Sequence, residues 1–84
     1  MLQLERLGLS GTRITNQGLR HLANLQQLDF LSLKRANVTD EAIEHLVKLK
    51  RLYILEIAFT KITPAGAQRL KRALPECRIA YDKQ

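Results

Sequence analysis

Between Leu7 and Thr15 the chain reads LGLSGTRIT, and this stretch decides the fold. Leu7 and Leu9 alternate with Gly8 and Ser10, the period of a strand with one apolar face. Gly11-Thr12-Arg13 should end such a strand, yet an apolar residue returns at Ile14. A lone strand gives no reason for it. Repetition does: LERLGLSGTRITNQGLRHLANLQQ (4–27) is succeeded by LDFLSLKRANVTDEAIEHLVKLKR (28–51) and LYILEIAFTKITPAGAQRLKRALP (52–75). Without a gap, Leu4, Leu28 and Leu52 share a column, as do Leu7, Leu31 and Leu55. Further columns hold Leu9, Leu33 and Ile57; Ile14, Val38 and Ile62; Thr15, Thr39 and Thr63; and Leu22, Leu46 and Leu70. This is an internal repeat of 24 residues.

Each unit predicts one path: a short strand, a corner, a helix and a return. Ile14 comes back to cover the core beside the strand leucines. Thr15, Thr39 and Thr63 are expected to cap the helix starts by accepting an otherwise unpaired N–H. Asp40 and Glu41 suit the positive end of a helix, and Pro64 suits a first helical position, where its missing N–H does no harm. Leu19, Leu22 and Ala23, then Ile43, Leu46 and Val47, give each helix one apolar stripe. One coil cannot bury that stripe alone, so the coils must stack, strands in a parallel sheet and helices behind it.

The columns of LERLGLSGTRI, LDFLSLKRANV and LYILEIAFTKI resemble the leucine-rich repeat, L-x-x-L-x-L-x-x-N/C-x-L. The I/V-T-x-x-G/A turn after them resembles bacterial repeats of about 24 residues related to the cysteine-containing, ribonuclease-inhibitor-like subfamily. The resemblance implies an α/β solenoid, with a short parallel sheet on its concave face and helices on its convex face. The expected organisation is a single domain of three repeats (4–27, 28–51 and 52–75) with a closing segment (76–84). The usual Asn or Cys position holds Thr12, Ala36 and Thr60, so the corner at Ala36 must rely on backbone bonds or water. MLQL aligns with LQQL at Leu25–Leu28, so the chain is expected to begin inside a repeat, as a fragment of a longer protein or as a chain that self-associates through an uncapped end. Pro75 should stop the last helix, after which CRIAY is expected one residue out of register and could supply a final strand.

Composition narrows the function classes. At 45% hydrophobic and 26% charged, the 84 residues suit one globular domain rather than disorder. No run of about twenty apolar residues is present, so no membrane span is expected. A single cysteine, Cys77, excludes an internal disulfide and fits a reducing compartment, which favours the cytoplasm. The net charge of +6 is spread along the chain, densest over QRLKRALPECR (68–78). Binding of nucleic acid or another polyanion by Arg69, Lys71 and Arg72, with Lys48, Lys50 and Arg51, is therefore the rival reading.

No catalytic motif emerges. Gly8, Ser10 and Gly11 are one residue short of a serine nucleophile elbow, and no phosphate loop or dinucleotide fingerprint is present. His21 and His45 share a helix column, but the third unit offers Arg69 there, so no metal site is expected. Cys77 reads as an apolar filler. The chain is read as no enzyme, with no cofactor.

The strand residues pointing away from the core form the surface of interest. They are Arg6, Gly8 and Ser10; Phe30, Ser32 and Lys34; and Ile54, Glu56 and Ala58. Phe30 and Ile54 share a column, with Tyr53 and Phe59 close by, and Lys34, Arg35 and Glu56 supply charge around them. An apolar centre with a charged rim has the composition of a protein-binding hot spot. The expected function is therefore a protein-protein interaction module using this face, with a purely structural or capping segment as a further alternative.

Overall fold

Four three-residue strands carry the alternating leucines: β1 (Arg6–Gly8), β2 (Phe30–Ser32), β3 (Ile54–Glu56) and β4 (Arg78–Ala80). The computed structural model describes residues 5–81. Leu4, the expected mid-repeat start at MLQL, and residues 82–84 of the expected closing segment lie outside the described residues. The strands pair in parallel in chain order, with Leu7, Leu31, Leu55 and Ile79 as successive partners. Rungs continue past the short strands: the N–H of Leu9 donates to Ser32 O (2.8 Å), Gly11 to Lys34 O (2.9 Å), Leu33 to Glu56 O (2.8 Å) and Arg35 to Ala58 O (3.1 Å). Parallel pairing obliges the chain to cross back behind the sheet between strands.

The return paths are α1 (Asn16–Leu22), a 3-10 turn (Asp40–Ala42) running into α2 (Ile43–Leu46), and α3 (Pro64–Ala73). Leu19, Ile43, Leu46, Ala67 and Leu70 from these segments join Leu31, Leu33, Leu55 and Ile57 from the strands in one buried cluster. The result is an α/β domain with a four-stranded parallel sheet and three helices. Burial falls off towards β1. Leu31 and Leu33 are 0% exposed, whereas Leu7, Leu9, Ile14, Leu22 and Leu25 only pack half-buried against the cluster. Among the described residues the first coil has a neighbour on one side only.

The segment after Pro75 corrects an expectation. Ile54 pairs with Arg78 and Leu55 with Ile79, so β4 keeps the 24-residue register instead of slipping by one. The shift is confined to the helix end. Ala73 stands in the column of Leu25 and Leu49 but is exposed, and Leu74 is buried beside it (5% exposed). Leu74 has left helical geometry (φ −125°, ψ 70°), and the turn through Pro75 and Glu76 restores the count.

A polar clamp joins consecutive coils. Asn16 donates from Nδ2 to Thr39 Oγ1 (2.8 Å) and accepts the Thr39 N–H at Oδ1 (3.0 Å). One coil later the Asp40 carboxylate accepts both the N–H (2.9 Å) and the hydroxyl (2.6 Å) of Thr63. The threonines so held are the ones that cap: Thr39 Oγ1 accepts from Glu41 N (3.3 Å) and Thr63 Oγ1 from Gly66 N (3.1 Å). Thr15 makes no side-chain cap hydrogen bond, contrary to the sequence expectation. No clamp from a preceding coil orients it among the described residues. Gly66 keeps the second clamp open, since a Cβ there would overlap the Asp40 carboxylate.

The corner column behaves as its side chains dictate. The Thr12 and Thr60 hydroxyls each donate to the carbonyl three residues back, Leu9 O and Ile57 O (both 2.7 Å), and accept the Ile14 and Ile62 N–H groups (3.4 and 3.3 Å). Ala36 has no hydroxyl; its own N–H donates to Leu33 O (2.9 Å) while its methyl is buried in the core. Ala36→Thr should therefore raise the unfolding free energy by about 0.5–1.5 kcal/mol in urea denaturation, the net value of a corner hydrogen bond. A fall instead would show that methyl packing outweighs the missing hydroxyl.

Candidate functional site

Because the strands align at a 24-residue offset, side chains on the face away from the helices also form columns. The first runs Arg6, Phe30, Ile54, Arg78, and the second Gly8, Ser32, Glu56, Ala80. Phe30 and Ile54 are thus side by side, half-buried, with an arginine at each end of their row. The Arg6 guanidinium lies over the Phe30 ring, 4.8 Å from its centroid. Three of the four residues in the second column are small, and Ser32 is only 6% exposed.

The expected site residues separate into two patches. Tyr53, just before β3 and 68% exposed, shares a recess of about 240 Å³ with Arg6, Asp29, Phe30 and Ile54. At the other end of the strands, Lys34, Glu56 and Phe59 line a recess of about 360 Å³ with Ala58, Ala80 and Tyr81. Arg35 joins the second patch through Phe59, its guanidinium 5.4 Å from the ring centroid. Sequence reasoning places Arg6 on the surface of interest but does not single out Asp29, Arg78 or Tyr81. The 24-residue register carried through β4 is the signal that would have found Arg78.

Phe59 and Arg35 occupy one repeat column with Gly11, and all three have positive φ: 62°, 63° and 72°. Glycine takes this left-handed geometry freely, whereas a Cβ meets the carbonyl of the next peptide unit. The corner therefore holds an arginine stacked on an aromatic ring where glycine is sterically preferred. Phe59 is also 46% exposed, so its ring gains only part of the burial that would offset the strain.

Other groups that could carry chemistry lie apart. Cys77 packs at the core edge and its thiol is pushed up from an ordinary 9.0 to about 11 by burial, which keeps it protonated and a poor nucleophile near neutral pH. Its ionisation would lower stability as pH rises from about 9 towards 11, because the unfolded chain releases that proton first. His21 is exposed, and His45 sits 3.7 Å from the exposed Glu44 carboxylate. Among the described residues no three His, Cys, Asp or Glu side chains are grouped to hold a metal ion. Arg69 shares a recess with Asp40, Glu41 and Glu44, so carboxylates oppose its charge. No described helix is long and apolar enough to cross a membrane.

No protein-family model matches the chain, and no curated protein matches it.

The left-handed corner gives a direct test. Phe59→Ala and Phe59→Gly both delete the ring, but only glycine relieves the backbone. The glycine variant should be the more stable of the two by about 1 kcal/mol in urea denaturation. Equal stabilities would mean that the corner is unstrained.

Proposed function

We propose that the chain is a leucine-rich-repeat binding module, a short solenoid whose concave sheet face receives a protein partner. The observation that carries this reading is the row Arg6-Phe30-Ile54-Arg78, an apolar pair half-buried on the face that the helices leave open. A face that merely met water would be served by polar side chains. Tyr53 extends the row on one side, and Phe59 with Arg35 forms a second anchor at the far end of the strands. Aromatic residues and arginine are the side chains over-represented in binding hot spots. Lys34 and Glu56 line the recess beside that second anchor and supply charge complementarity.

A structural role within a longer repeat array is the second reading. The half-buried Leu7, Leu9, Ile14, Leu22 and Leu25 support it, because a further coil stacked on β1 would cover them. The polyanion reading gains less, since Arg69 faces carboxylates.

Selection of a phage-displayed random peptide library against the folded chain tests the proposal. Selected peptides should shift the amide resonances of Phe30, Ser32, Ile54 and Glu56, and the double variant Phe30→Ala/Ile54→Ala should weaken them by about tenfold or more while remaining folded. Peptides that shift only helix amides, or that bind the double variant equally, would place the working surface elsewhere.

A further inference from the structure

The proposed binding face carries a charge pattern specific enough to name the chemistry of its partner. Along the first row the outer strands present Arg6 and Arg78, while the middle strands present Phe30 and Ile54. Both arginines are exposed, and among the described residues no carboxylate forms an ion pair with either. The carboxylates near the row flank it rather than stand in it: Glu5 and Asp29 precede β1 and β2, Asp29 lines the Phe30–Ile54 recess, and Glu56 stands in the next column. From one sheet edge to the other, the row is positive at both ends and apolar at its centre.

Resting on the concave-face reading, we infer that this row binds an extended acidic segment of a partner protein with the pattern acid-x-apolar-x-acid. The spacing supports it. Three inter-strand steps of about 4.8 Å put Arg6 and Arg78 about 14 Å apart at their Cα atoms, and four residues of extended chain at about 3.4 Å each span about the same distance. Side chains at the first, third and fifth positions of an extended segment point the same way. The two carboxylates then meet the two guanidiniums, that of Arg6 reaching from over the Phe30 ring, and the apolar side chain lands between Phe30 and Ile54. Arginine suits the ends because its planar fork takes a carboxylate through two parallel N–H donors. A central carboxylate is disfavoured by Asp29 and Glu56. In the adjoining column Gly8, Ser32 and Ala80 leave room for the backbone of the crossing segment, and Glu56 is its one long side chain. The chain's net charge of +6 adds attraction for an acidic partner at encounter.

Fluorescence anisotropy with labelled nine-residue peptides tests the inference. The probe Gly-Ser-Glu-Thr-Leu-Thr-Glu-Ser-Gly should bind about tenfold or more tightly than its isomer Gly-Ser-Glu-Thr-Glu-Thr-Leu-Ser-Gly, one misplaced charge-assisted contact costing about that factor. Arg78→Gln should lower the affinity for the first peptide about tenfold, with circular dichroism confirming the fold. Arg6→Glu/Arg78→Glu should abolish that binding and create binding of Gly-Ser-Lys-Thr-Leu-Thr-Lys-Ser-Gly, an exchange that mere loss of structure cannot produce. Equal binding of the two acidic isomers, or tighter binding of an octameric oligodeoxythymidylate with steep salt dependence, would overturn the inference in favour of a general anion surface. Failure of the first peptide while library-selected peptides still map to Phe30 and Ile54 would overturn this inference alone. Failure of both would overturn the concave-face reading as well.

Discussion

The constraint on which the structure depends is the parallel register that sets leucines 24 residues apart side by side. A three-residue strand offers few backbone bonds, so pairing alone would not hold it. Burial of each column supplies what pairing lacks, at about 1.5–3 kcal/mol for each fully buried leucine. Leu31 and Leu55 each have a neighbour on both sides and are 0% exposed. Leu7 and Ile79, at the ends of the same column, are half-buried. No strand–helix unit acquires a core by itself; the interior belongs to the contact between units.

Polar groups at the back of the molecule reinforce that register. Asn16 and Asp40 each hold the threonine of the next coil, and those threonines in turn cap helix starts. Helix capping is thereby coupled to the packing of one strand–helix unit on the next, which explains why Thr15, without such a partner among the described residues, does not cap. A cap of this kind contributes about 1 kcal/mol. The clamp also needs space, and Gly66 provides it beside Asp40.

Much of this was legible in the sequence because apolar columns repeat without a gap. Strand positions, the parallel sheet expected from stacking, Pro64 at a helix start and a final strand from CRIAY were all readable from side-chain period and the chemistry of caps and breakers. The clamp was not, since Asn16 and Thr39 are 23 residues apart and their contact crosses between coils rather than along one. Nor was the restored register at β4, where the apolar position moves from residue 73 to Leu74 and a turn of irregular geometry takes up the difference. For the open face, Phe30 and Ile54 could be placed in one column from spacing alone. Arg6 could be placed there too, but Arg78 could not, because the row closes on it only if β4 keeps register; and Tyr53 and Phe59, read as one group with that pair, lie beyond opposite ends of β3. The positive φ at Arg35 and Phe59 was hidden because only Gly11 in that column advertises such a backbone.

One geometric fact therefore serves both faces of the sheet. The offset that aligns Leu7, Leu31, Leu55 and Ile79 inside also aligns Arg6, Phe30, Ile54 and Arg78 outside. Methyl–methyl nuclear Overhauser measurements on selectively labelled leucine and isoleucine test it most directly. Contacts are expected between Leu31 and Leu55, Leu33 and Ile57, and Leu55 and Ile79. Cross-peaks at a shifted offset, such as Leu31 to Ile57 with Leu31 to Leu55 absent, would contradict it.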